Sequence, residues 1–96
     1  MDKALSKSIW HEFLEVVRKA DNMEQLDIIG DVFLSCEERA DVVKRFVVVK
    51  ELLKGELTQR EIAKKYDVSI AKITRGSNAL KTYNQEKIDA LKRIYD

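Results

Sequence analysis

Apolar residues recur at helical spacing along nearly the whole chain. Trp10, Phe13, Leu14 and Val17 fall at i, i+3, i+4 and i+7 and predict a first helix from about Ser8 to Asp21, preceded by residues 1–7, which are mostly polar and expected to fray. A second helix is predicted from Met23 to Phe33. Leu26, Ile29 and Phe33 mark one face, and Ile28 and Val32 lie beside it, a width that calls for more than one neighbour. Gly30 lowers the helix propensity there and is placed to permit a close approach. Ser35 with Glu38 three residues on forms a capping box that opens a third helix, and Gly55 closes it after Lys54. Its run VVKRFVVVKELL is β-branched enough to suggest a strand. The caps, however, bracket about five helical turns, and the apolar residues wrap most of the circumference, which predicts the central helix of the domain. Lys44, Arg45 and Lys50 interrupt the run, and Arg45 stands out because Val42 and Phe46 flank it. Ile88, Leu91 and Ile94 predict a last helix from about Asn84 to Tyr95.

Between these lies Thr58–Lys81, TQREIAKKYDVSIAKITRGSNALK, around which the rest is organised. Thr58 with Glu61 forms a second capping box. Ile62 and Ala63 face inward, and Tyr66 ends the helix. Asp67 sits where the chain must turn sharply, in the left-handed region that Asp tolerates better than most residues. Val68 fills the corner, Ser69 caps the next helix, and Ile70, Ile73 and Leu80 follow at spacings of 3 and 7. The small Ala63 lets the two helices cross closely. This is the pattern of a helix-turn-helix.

Charge sharpens that reading. The 96-residue chain is formally +1, but Thr58–Lys81 holds six cations (Arg60, Lys64, Lys65, Lys72, Arg75, Lys81) against Glu61 and Asp67, so it is +4 and the remainder −3. A cationic stretch confined to one element is an electrostatic footprint for phosphates. The length predicts one domain over residues 1–96, which alone would bury only roughly 60–65 % of its unfolded surface. The single cysteine, Cys36, excludes an internal disulfide framework and fits a reducing cytoplasm. No apolar stretch is long enough to span a bilayer and no signal peptide is visible. His11 is the only histidine, and no CxxC, HExxH, P-loop or GxSxG pattern occurs, so an enzyme is not expected, nor a metal site.

The segment TRGSNALK, with TQREIA before it, closely resembles the bacterial Trp repressor family, and the resemblance runs ungapped from about Trp10 to Lys81. It implies an all-α fold of about six helices in an intertwined homodimer, whose two recognition helices lie about one DNA turn apart on a pseudo-palindromic operator. That spacing is general to two-fold helix-turn-helix dimers, Trp repressors among them. It also implies L-tryptophan as corepressor rather than a cofactor. Arg45 matches the arginine on one indole face, and Arg75 matches the arginine on the other face that pairs with the carboxylate, roles suited to guanidinium planes. Gly76 matches a glycine beside the ligand. Val32, Leu34 and Ser35 match the segment that the other subunit offers to the ammonium group. Ala79 stands where the common pattern has a ligand-orienting serine, Ser35 replaces a threonine and Cys36 a proline. Without the family, Arg45 reads as an arginine snorkelling from a half-buried helix and Arg75 as a phosphate contact.

For double-stranded DNA, Ser69, Ile70, Ala71, Lys72 and Thr74 lie at or near the start of the second helix, the end that a helix-turn-helix presents to base edges. Gln59 and Arg60 open the first helix, and Arg60 matches a family contact. Ile70 and Ala71 match positions that touch bases. Lys72 replaces a threonine, which adds charge and reach, and Ala63 replaces a DNA-contacting lysine. Lys64, Lys65 and Lys81 suit the backbone; the bland reading of each is a solvated lysine. The expected function is an L-tryptophan-dependent repressor of tryptophan biosynthesis or uptake genes. The rivals are a related regulator not gated by tryptophan and a helical protein-interaction module.

Overall fold

The structure, a computed structural model, describes residues 1–96 and consists of six α-helices with no strand. They are α1 Lys3–Arg18, α2 Met23–Phe33, α3 Cys36–Lys54, α4 Gln59–Tyr66, α5 Ile70–Lys81 and α6 Gln85–Tyr95. The chain forms two compact units, Met1–Arg39 and Ala40–Asp96, and α3 runs through the division.

In the N-terminal unit α1 begins five residues earlier than the apolar stripe predicts. Asp2 is the reason: its carboxylate accepts the Leu5 N–H at 2.8 Å and caps the helix, so residues 3–7 are helical rather than frayed. Asn22 caps α2 in the same way, through the Gln25 N–H. Phe13 of α1 meets Phe33 of α2 edge to face at 5.4 Å, and Trp10 tilts against Phe13 at the same distance. Arg39 reaches back to Asp27 and Asp31, 3.6 Å from each. No residue of this unit is buried, and Trp10, Leu14, Ile28, Val32 and Phe33 all present apolar surface to solvent. A Cβ on Gly30 would stand 3.7 Å from an Arg39 nitrogen, an ordinary contact, so no close approach depends on that glycine.

α3 opens on the expected box: the Glu38 N–H donates to Ser35 Oγ at 3.1 Å, and the Ser35 N–H donates to Glu38 Oε1 at 2.9 Å. Gly55 ends it with φ +69°, where a β-carbon would be strained. The expectation of a helix buried round most of its circumference is met only in its second half. Val48 and Glu51 are buried, whereas Val42, Val43 and Phe46 are more than half exposed, because no element of the C-terminal unit covers that turn fully.

The core of the C-terminal unit is Val48, Ile62, Val68 and Ile73, with Leu52, Leu57, Ala63 and Tyr66 packed around it. It sits where α4 and α5, the most closely packed pair of helices, meet α3. α6 returns to α3 through Tyr95, whose ring stacks on Phe46 at 5.0 Å and whose hydroxyl donates to the Phe46 carbonyl at 3.2 Å. Partial burial there pushes the Tyr95 phenol above its usual pKa. No helix is long and apolar enough to cross a membrane.

Candidate functional site

Two adjoining features share α5. The first is the helix-turn-helix. Thr58 Oγ1 accepts the Glu61 N–H at 3.1 Å, and Glu61 Oε1 accepts the Thr58 N–H at 3.0 Å, which closes the box. Hydrogen bonding of the Glu61 carboxylate to the Thr58 backbone N–H, and then to the Thr58 side chain, favours the ionised form and holds Glu61 below the usual carboxylate range. Asp67 adopts φ 54°, ψ 49°, the left-handed turn, and the Val68 N–H donates to the Ala63 carbonyl at 3.1 Å. Ser69 Oγ accepts the Lys72 N–H at 3.2 Å and starts α5. Ile62 and Ile73, one on each helix, are fully buried and lock the crossing. Across it, the Thr74 hydroxyl donates to Gln59 Oε1 at 3.2 Å. Beneath the motif, the buried Glu51 carboxylate of α3 has Lys65 Nζ at 3.9 Å. A hydrogen bond to the Tyr66 side chain and then the Glu51 charge hold Lys65 above its usual pKa.

The second feature is a cleft of about 590 Å³ between α3 and α5. Its volume falls in the range of roughly 300–1,000 Å³ usual for small-molecule sites. Val48 and Val49 of α3, Val68 of the turn, and Ala79 and Leu80 of α5 give it apolar walls, and Tyr83 stands beyond the end of α5. Lys44 and Arg45 enter from α3 and Lys72 and Arg75 from α5, four cations against the single carboxylate of Asp41. Such a lining suits an apolar body that carries an anionic group. Arg75 is oriented by its own helix, its Nε donating to the Ala71 carbonyl at 3.4 Å. Gly76 decides how closely the two walls approach, because a Cβ there would stand 3.0 Å from Val48 Cγ1, a buried side chain with little room to give.

Comparison with known proteins agrees with this architecture. Residues 8–95 match the Trp repressor protein family. The chain is 52 % identical over 79 residues to the Trp operon repressor homolog of Chlamydia trachomatis serovar D, covering 82 % of this chain and 84 % of that one. It is 46 % identical over 85 residues to the homolog of Chlamydia caviae, covering 88 % and 84 %. The homolog of Vibrio cholerae serotype O1 is 39 % identical over 89 residues, covering 93 % and 86 %. The chain belongs to the Trp repressor family.

For a member of the Trp repressor family the expected site residues fall into three groups. Arg45, Arg75, Gly76 and Ala79 come together in the cleft. Val32, Leu34 and Ser35 lie in the N-terminal unit and are not among the residues that line it; Ser35 is engaged in its capping box. Gln59, Arg60, Ser69, Ile70, Ala71, Thr74 and Lys81 are exposed on α4, α5 and the turn between them, with the Ser69 hydroxyl also serving as the cap. Lys72 belongs to both features, as it lies in the first turn of α5 and lines the cleft, where its Nζ lies 3.5 Å from Asp41 Oδ1.

Asp41, Lys44 and Tyr83 also line the cleft, although nothing in the sequence resemblance points to them. A signal for them existed. Asp41, Lys44, Arg45, Val48 and Val49 repeat at i, i+3, i+4, i+7 and i+8, one face of α3, and Lys72, Arg75, Gly76, Ala79 and Leu80 repeat in the same way on α5. Once Arg45 and Arg75 are chosen, the helical period names their neighbours.

Proposed function

We propose that this chain is an L-tryptophan-dependent, DNA-binding transcriptional repressor that acts as an intertwined homodimer. The observation that carries the reading is the position of the cleft. Its second wall is α5, the helix whose first turn is offered to DNA, so a ligand held between Arg45 and Arg75 bears directly on where that helix sits. In this reading the indole lies between the two guanidinium groups and the carboxylate pairs with Arg75, while Gly76 keeps the α3–α5 spacing narrow. The partner subunit brings the segment Val32, Leu34 and Ser35 to the ammonium group, which makes residues 1–96 one working domain of an interleaved pair. The exposed apolar faces of α1 and α2 and the Val42–Phe46 turn supply surface for that interleaving.

On DNA, Ser69, Ile70, Ala71 and Thr74 approach base edges, and Lys72 joins them when it leaves Asp41. Gln59 and Arg60 approach from the start of α4, and Lys81 serves the backbone. Gating follows from differential affinity: tryptophan shifts the equilibrium toward the α5 position that fits DNA only as far as it binds that arrangement better. The relatives' name, Trp operon repressor homolog, supports tryptophan biosynthesis or uptake genes as targets.

A second reading, a regulator of the same family gated by another ligand or by none, has one observation in its favour. Ala79 lines the cleft without a hydroxyl, which removes a hydrogen bond worth roughly 1 kcal/mol. Selection of binding sites from a random duplex pool, with and without L-tryptophan, separates the two. The first reading expects a two-fold symmetric site recovered only with tryptophan. The same site recovered equally in its absence overturns the gating and favours the second.

A further inference from the structure

We infer that Asp41 tempers the affinity of α5 for DNA, because it holds the Lys72 ammonium against α3 and so withholds one positive charge from the phosphate backbone. The inference rests on the DNA-binding reading above and deepens it.

Lys72 is the third residue of α5, within the turn that a helix-turn-helix brings nearest to the duplex. A cation is electrostatically out of place there, since the exposed N–H groups give a helix start partial positive charge. Asp41 relieves this from another element: its Oδ1 lies 3.5 Å from Lys72 Nζ and places a carboxylate beside the positive end of α5. α5 carries three cations, Lys72, Arg75 and Lys81, and Lys72 alone is ion-paired. The two anions of the helix-turn-helix do not serve this purpose. Glu61 is taken up by the Thr58 cap, and Asp67 occupies the turn. The charge that restrains the start of the reader helix therefore comes from α3.

The pair contributes little to folding. Its side chains are 41 % and 61 % exposed, and exposed ion pairs are largely offset by hydration and lost side-chain freedom. Its consequence lies with a partner that is itself a dense line of negative charge. Near DNA, Lys72 must either stay with Asp41, in which case neither contributes to counterion release, or leave it and strand a carboxylate close to the phosphates. Both alternatives lower affinity by an amount that does not depend on base sequence, because phosphates carry no sequence information. The cost therefore falls equally on operator and random DNA and leaves their affinity ratio unchanged, but random DNA, which lacks the base contacts from Ile70, Ala71 and Thr74, has less affinity to lose. Asp41 thus lowers the affinity of the reader helix for any duplex and keeps non-operator binding weak.

The test is a double-mutant cycle on DNA at saturating L-tryptophan, with a duplex selected from a random pool and a scrambled duplex of the same composition, each titrated across salt concentrations. Asp41→Asn keeps the shape and removes the charge. It is expected to tighten binding to the scrambled duplex about 5-fold and to steepen the slope of log affinity against log salt by about 0.9, the value of one added phosphate contact. The selected duplex tightens by the same factor, so the selected-to-scrambled affinity ratio holds. In the Lys72→Thr background, Asp41→Asn is expected to change the slope by nothing measurable. An unchanged slope in Asp41→Asn overturns the inference, as does a gain of equal size in the Lys72→Thr background or a scrambled-duplex affinity that does not rise. In each of these cases the wild-type chain still binds the selected duplex and the DNA-binding reading stands. A wild-type chain that binds neither duplex overturns that reading, and the inference with it.

Discussion

The two units of this chain contain helices of similar length and are finished to different degrees. The C-terminal unit closes a core around Val48, Ile62, Val68 and Ile73, and every turn in it is capped or locked. The N-terminal unit has comparable capping at Asp2, Asn22 and Ser35 but buries nothing, and its aromatic trio Trp10, Phe13 and Phe33 is held together at the surface. Caps and periodicity thus determine where helices form, while burial depends on what covers them. The helix-turn-helix is complete within one chain, whereas under the proposed function the N-terminal helices are covered by a second. That division suits an allosteric dimer, in which a stiff reading head is carried on a scaffold that depends on association.

The comparison can be broken most severely at the N-terminal unit. Phe33→Asp places a charge on the face assigned to the partner chain. The expected result is loss of the dimer in sedimentation equilibrium at micromolar concentration, and an unchanged dimer mass would remove that face from the interface. Next in size is the reader's own core. Ile73→Ala is expected to lower unfolding free energy by about 3 kcal/mol, within the range of roughly 2–5 for such truncations, read from urea melts at fixed protein concentration. A loss under about 1 kcal/mol would mean that the α4–α5 crossing is held by something other than this contact.

Gly76→Ala is smaller and more local. The added methyl meets Val48 and pushes α5 off α3, which costs about 1–3 kcal/mol of stability and weakens tryptophan binding with it. Stability unchanged with affinity reduced would place the crowding on the ligand rather than on Val48. The smallest effect is the Thr58–Glu61 box. Its hydrogen bonds lower the folded pKa of Glu61, so its contribution is fully present above the unfolded pKa and is lost as pH falls through the folded value, below the usual carboxylate range. Glu61→Gln keeps an acceptor for the Thr58 N–H and does not titrate. The acid limb of thermal stability against pH should therefore be shallower by one group in Glu61→Gln than in wild type, and identical limbs would contradict that assignment.

Most of the fold was legible because its signals are local. Thr58 and Glu61, Ser35 and Glu38, Asp67 and Gly55 each declare a helix end through their own chemistry, and all four ends lie where those residues predict. Asp2 was passed over because it precedes the first apolar residue of the stripe, although its capping chemistry is no different. The environment of α3 was not legible. A β-branched run specifies that a surface will be covered but not by which chain, so Val42, Val43 and Phe46 read as core and stand exposed in a single chain. The cleft was half legible. Arg45, Arg75 and Gly76 were found through their family resemblance, whereas Asp41 and Lys44 required knowing which face of α3 looks at α5. Lys72 shows the same limit, for its place on the reader helix follows from the motif and its pairing with Asp41 follows only from tertiary structure.

The central claim is that the cleft between α3 and α5 takes L-tryptophan. Isothermal titration of L-tryptophan into the wild-type chain and into Arg75→Leu, with indole-3-propionate as the analogue that lacks the ammonium group, tests it directly. The account predicts saturable binding of one tryptophan per chain, weaker binding of the analogue, and loss of binding in Arg75→Leu with the dimer intact. No heat at several temperatures, with equilibrium dialysis also showing no bound tryptophan, or unaltered affinity in Arg75→Leu, would contradict it.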